Sequence, residues 1–156
     1  MNISFSGTRK YKTSQDNIDK MQRTAYTVMG DNEVDNIYFG GAEGVDTEML
    51  VRCGKLKNVV PSKKKLVVIL PNAIKDQPEF AQKVIIKYAD NIIELKNLIN
   101  QEDGYKSYRR RNEELIRKCD KLYAFPLKKS HNRSGTWMTI RIAQKENKEV
   151  QIIELE

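Results

Sequence analysis

Residues 35–50 read DNIYFGGAEGVDTEML. DNIYF is short, apolar and aromatic, as a strand is. Gly40, Gly41 and Gly44 follow within five residues, and VDTEML then opens a helix-like run. Strand, glycine turn and helix in this order form the first half of a βαβ unit. The glycines have two explanations. They can serve a turn that needs left-handed backbone, or they can bare backbone N–H groups at a helix N-terminus to cradle an anion. The stretch is neither a Walker A loop, because no Lys-Ser/Thr follows Gly44, nor a Gly-x-Gly-x-x-Gly fingerprint.

The same alternation extends in both directions. Residues 2–6 (NISFS) read as a strand ended by Gly7. Ser14 is an N-cap candidate ahead of Ile18, Met21, Ala25, Val28 and Met29, one face of a helix that stops near Gly30. A helix over about residues 45–56 turns Met49, Leu50 and Cys53 inward. KLVVIL (65–70), closed by Pro71, reads as a strand buried on both faces. Gln77-Pro78 opens a helix with Phe80, Ala81, Val84, Ile85 and Ala89 as its stripe. Strands at 92–95, 121–125 and 150–155 alternate with helices at 107–118 and within 133–146. Parallel strands require crossover connections. The pattern therefore predicts one α/β Rossmann-like domain over residues 1–156, a mostly parallel sheet with helices on both faces.

Composition narrows the function classes. With 39% hydrophobic and 31% charged residues, the chain has a modest core under a wet surface, yet it is too well patterned for disorder. No stretch approaches a membrane span and MNISFSGTRK has no signal-like apolar core, so a soluble, cytoplasmic protein with no membrane partner is expected. Cys53, Cys119 and the single histidine, His131, are too few and too scattered for a usual zinc site, so reduced thiols and no metal are expected. The net charge of +7 favours phosphorylated or polyanionic partners, and it equally serves solubility.

In sheets of this class ligands bind beyond the carboxyl ends of the strands. Three loops there carry suitable chemistry. Gly7, Thr8 and Arg9 follow the first strand, offering close backbone approach, a hydroxyl and a planar fork suited to phosphate. Gly40, Gly41, Ala42, Gly44, Val45 and Asp46 follow the second. SHNRSGT (130–136) places Ser134, Gly135 and Thr136 at another helix N-terminus, although a plain N-cap accounts for one hydroxyl. Three consecutive arginines, 109–111, point in different directions on a helix, so at most one or two face a ligand. Asn112 follows them. Asp46 and Glu48 are the candidate catalytic carboxylates in an enzyme reading, as an acid or nucleophile. Both are equally explained as first-turn helix residues favoured by the dipole. Tyr105 and Tyr108 beside arginines also suit stacking of single-stranded nucleic acid.

The order GTRK, FGGAEGVDTEM, YRRRNEELIRKCDKLYAF and SGTWMTIRIAQKENKEVQII resembles the SLOG-type nucleotide-binding superfamily. That superfamily groups the Rossmann domain of DNA-processing protein A with the Lonely Guy phosphoribohydrolases and the nucleotide-sensing domains of some bacterial defence proteins. The likeness is closest to the DNA-processing protein A branch and spans nearly the whole chain. It implies a nucleotide pocket formed by Gly7, Thr8 and Arg9, by Gly40, Gly41, Gly44 and Asp46, by Arg111 and Asn112, and by Ser134, Gly135 and Thr136. It implies a nucleotide ligand, names no certain cofactor, and suggests a homo-oligomer, since members often pair. The late loop departs from Lonely Guy enzymes, whose Pro-Gly-Gly-x-Gly-Thr-x-x-Glu carries a catalytic glutamate. SGTWMTIR has none, so the resemblance favours binding over hydrolysis.

Overall fold

The computed structural model describes residues 1–95, 104–129 and 134–156. The elements are β1 (Asn2–Gly7), α1 (Gln15–Gly30), β2 (Asn36–Phe39), α2 (Val45–Val59), β3 (Lys65–Leu70), α3 (Glu79–Tyr88), β4 (Asn91–Glu94), α4 (Gly104–Lys118), β5 (Lys121–Phe125), α5 (Gly135–Lys145) and β6 (Glu149–Ile152). Six parallel strands form one sheet in the order β4-β3-β2-β1-β5-β6. The expected Rossmann-like α/β architecture is present, and the sheet is parallel throughout.

Alternation along the strands builds two unequal layers. Ile3 and Phe5 of β1, Leu66, Val68 and Leu70 of β3, and Tyr123 and Phe125 of β5 join Met21, Met49, Leu50 and Cys53 in the main core. Phe5 lies at its centre, with ring centroids 5.5 Å from Phe39, 5.8 Å from Tyr123 and 6.3 Å from Phe125. The opposite face of β5 packs Leu122 and Ala124 on Ile116, Ile140 and Ala143 of α4 and α5. Ile69 of β3 meets Leu115 of α4. KLVVIL is therefore buried on both sides, as its unbroken apolar run predicts.

β1 differs from its neighbours on the α4 side, where Asn2, Ser4 and Ser6 are all polar and the Asn2 side-chain amide donates to the Lys118 carbonyl at the end of α4 at 3.3 Å. The Ser4 hydroxyl, fully buried, donates to the Leu115 carbonyl at 2.7 Å. Small polar side chains here let α4 come close and leave room above Ser6.

Strand order explains the position of the site. From β1 the chain steps outward through β2, β3 and β4, with α1, α2 and α3 on one face. It then returns to β5 on the other side of β1, with α4 and α5 on the opposite face. Right-handed crossovers require this change of face when the order reverses. The loops leaving β1 and β5 part company there, and a crevice opens between them.

Several element boundaries differ from the sequence reading. α3 begins at Glu79 with Pro78 at its N-cap, and Ile74–Asp76 form a separate short 3-10 turn. That turn is tied to β4, because the Ile74 N–H donates to Glu94 Oε2 at 2.6 Å. α4 starts three residues earlier than expected, and β6 is shorter, followed by a single bridge between Leu127 and Leu155. The Ser14 cap is as expected, its hydroxyl accepting from the Asn17 N–H at 3.2 Å. No helix among the described residues is long and apolar enough to cross a membrane.

Candidate functional site

A cleft of about 790 Å³ opens at the β1–β5 switch point. Ser6, Gly7, Thr8 and Arg9 line it from β1 and the loop that follows, and Ala42 and Asp46 from the β2–α2 junction. Tyr108, Arg109, Arg111 and Asn112 line it from α4, and Ser134, Gly135 and Thr136 from the start of α5. Parts of three loops and of the arginine run, far apart in the chain, thus line one cleft. Arg110 is not part of the lining, in keeping with three arginines that diverge around a helix.

The glycines turn out to serve packing. A Cβ on Gly7 would collide with the Val45 side chain, and one on Gly44 (φ 85°) with the backbone of Arg9. Gly41 (φ 73°) lies against Leu70. A Cβ on Gly40 would lie 2.7 Å from Asp46 Oδ2 and 3.0 Å from the Arg111 guanidinium carbon. Gly40, Gly41, Gly44 and Val45 are not among the lining residues. The Val45 N–H, which opens α2, already donates to the Thr8 carbonyl at 3.1 Å. What the loop presents to the cleft is the Asp46 carboxylate, with the glycines making room for it.

Asp46 is buried. Its Oδ2 accepts the Ala42 N–H at 3.2 Å, while Oδ1 has no partner among the described residues. Burial pushes its pKa up to about 6, against the opposing pull of Arg111, the Ala42 N–H and Arg9. Arg111 is buried beside it, donating to the Gly40 carbonyl and, from Nε, to Asn112 Oδ1 at 2.9 Å. Burial lowers the Arg111 pKa and Asp46 raises it, but a guanidinium starts so high that it stays charged. The Tyr108 ring draws both cations together, 4.9 Å from the Arg9 guanidinium and 5.7 Å from that of Arg111.

The two helix N-termini are not equivalent. In α2 the first turn already holds the carboxylate of Asp46, which satisfies the positive end of the dipole and disfavours a second anion there. The first turn of α5 carries no acidic residue. Ser134 caps it by accepting the Trp137 N–H at 3.2 Å, and the buried Thr136 lies one residue into the helix. An anion therefore fits at α5, between its first-turn amides and Arg9 and Arg111. A hydroxyl donor fits at Asp46.

Glu48, the other candidate carboxylate, is not a lining residue. Its Oε1 pairs with Arg52 at 2.7 Å along α2. His131 and Arg133 lie outside the described residues, as does the Tyr105 side chain. Among the described residues no cluster of His, Cys, Asp and Glu could hold a metal ion. Cys53 is buried and its thiol is pushed up to about 12, so it is no nucleophile. The sequence reading missed Met138, Arg141, Ile142 and Lys145, which carry the cleft down α5. Their i, i+3, i+4, i+7 spacing was a legible signal of a shared face.

No protein-family model and no curated protein matches this sequence.

Proposed function

We propose that the cleft binds a nucleotide or a nucleotide-derived small molecule, such as an ADP-ribose-type signal, and that the protein senses or sequesters it. One observation carries this reading. A buried carboxylate with an unused oxygen lies beside a buried arginine at the strand-order switch. A buried acceptor without a partner is costly, of order 1–3 kcal/mol, and a ligand donor relieves that cost. A ribose hydroxyl suits Asp46 Oδ1, and a phosphate suits the α5 first turn with Arg9 and Arg111. A hydroxyl donated to Oδ1 favours ionised Asp46, so affinity rises with pH through about 6.

Calorimetric titration with nucleoside monophosphates, NAD, ADP-ribose and cyclic ADP-ribose isomers tests the reading. At least one should bind, and Arg9→Gln, which spares the buried arginine, should weaken it about tenfold. No heat with any of them removes the proposal.

A second reading has one observation in its favour. Asp46 combines a raised pKa with a place in the cleft, as a general acid or nucleophile in N-glycoside cleavage would. Chromatography of nucleotides incubated with the protein decides it. Free base that disappears in Asp46→Asn supports cleavage, and intact nucleotide leaves binding alone.

A further inference from the structure

The cleft is longer than one phosphate and one ribose need. Below Thr136 it continues between α4 and α5, floored by Leu115, Met138 and Ile142, and ends at Arg141 and Lys145. Gly135 and Lys145 open and close the 11-residue α5, so at ~1.5 Å per residue the groove runs ~15 Å along the helix. Its ends are both cationic. Arg9 and Arg111 lie at the switch point, and Arg141 and Lys145, one helical turn apart on the same face, lie at the far end.

The far pair is not occupied within the protein. Arg141 and Lys145 are exposed and form no ion pair among the described residues, whereas Arg109 on α4 pairs with Glu113 at 3.1 Å. Asp46 is the single carboxylate of the described lining, against five cationic side chains. The apolar floor between the two ends contributes no hydrogen bonds of its own and suits the flat face of a base.

We propose that Arg141 and Lys145 form a second anion subsite, and that the ligand carries two anionic groups bridged by a flat apolar middle, at the length of two linked nucleotides. This rests on the nucleotide reading above and deepens it. The first anion lies at the α5 N-terminus with Arg9 and Arg111. The second lies about two to three turns further along α5, a separation that a mononucleotide's phosphate cannot span. Exposure of the far pair makes its contribution sensitive to salt.

The test compares a 5′-nucleoside monophosphate, a linear dinucleotide bearing a 5′-phosphate, and a ten-nucleotide single strand, titrated calorimetrically into the wild-type protein and into Arg141→Gln/Lys145→Gln. Both substituted side chains are exposed, so the variant folds, and circular dichroism checks it. The dinucleotide should bind at least tenfold more tightly than the monophosphate. The double variant should bring it down to the monophosphate's affinity and leave the monophosphate unchanged. Equal affinity for the two in the wild type overturns the second subsite while the nucleotide reading stands. So does a double variant that weakens both ligands alike or neither. Affinity that keeps rising to the ten-nucleotide strand overturns the bounded ligand in favour of strand binding. Absence of binding by all three removes both proposals together.

Discussion

Two cavities of nearly equal size lie at opposite ends of the sheet. One is the cleft at the strand carboxyl ends, about 790 Å³. The other, about 780 Å³, lies where α1 and α2 end above the starts of β2 and β3, lined among others by Tyr26, Leu56, Val60 and Lys63 to Lys65. Volume does not separate them. The state of their polar groups does. In the lower cavity Asp35 is met by the Met1 amine at 2.7 Å, and the Lys64 carbonyl by Lys57 Nζ at 2.6 Å. Lys57 itself pairs with Asp90 at 2.7 Å. In the upper cleft a buried carboxylate keeps an oxygen without a partner among the described residues, and a buried guanidinium stands beside it. Folding alone would not select that arrangement, since buried polar groups cost free energy unless paired. Such local violations are expected where a chain binds something.

Substitutions at the two ends of the sheet should differ sharply in their effects. Arg111→Ala should have the largest effect, because it removes the cation nearest buried Asp46 and orphans the Gly40 carbonyl. We expect a loss of about 3–5 kcal/mol by urea unfolding. A loss as small as that of a surface substitution would mean the upper site carries no buried charge at all.

Asp46→Asn should change the pH dependence of stability. The folded chain holds the Asp46 proton more tightly than the unfolded chain, its pKa rising from 3.8 to about 6. Between those values the native state binds more protons, so wild-type stability falls as pH rises across the window and levels off above it. The drop is about 3 kcal/mol, at ~1.4 kcal/mol for each pH unit between the two values. The charged groups facing Asp46 are Arg111 of α4 and Arg9 of the β1 loop. The asparagine variant should lose this component and be the more stable form near pH 7. Thermal melts from pH 4 to 7.5 would show it, and parallel slopes for the two proteins would refute the buried carboxylate.

Gly44→Ala should cost about 2 kcal/mol, because alanine is strained at a φ of 85° and its Cβ meets the Arg9 backbone. Proteolytic sensitivity of the β1–α1 loop would report the displacement. Smallest of all should be Lys63→Gln and Lys65→Gln in the lower cavity. Both side chains are exposed, so stability should stay within ~0.5 kcal/mol and nucleotide affinity should not move. A loss of affinity there would transfer the site to the wrong end of the sheet.

Much of this architecture was legible beforehand. Strands, helices and the Ser14 and Ser134 caps follow from spacing over a few neighbours. That the loops after β1 and β2 and the loop before α5 lie at one end of the sheet follows from their places in the strand–helix alternation. The roles of their residues were not legible. Gly40 as a motif residue is equally a cradle or a turn. Only Arg111, seventy-one residues away and hydrogen bonded to its carbonyl, shows that Gly40 clears space for a guanidinium beside Asp46. Glu48 and Asp46 are two residues apart and chemically alike, yet the ~200° between them on a helix sends one to Arg52 and the other into the cleft.

By itself the sequence determined the alternation of elements, the parallel sheet and the loops that must meet at its carboxyl end. These depend on local periodicity and on the need for crossovers between parallel strands. Tertiary structure alone decided that β1 and β5 adjoin, that Asp46 is buried with a spare oxygen, and that the cleft runs on to Arg141 and Lys145. Those depend on which distant residues share one desolvated space, and no local pattern encodes burial by a partner elsewhere in the chain.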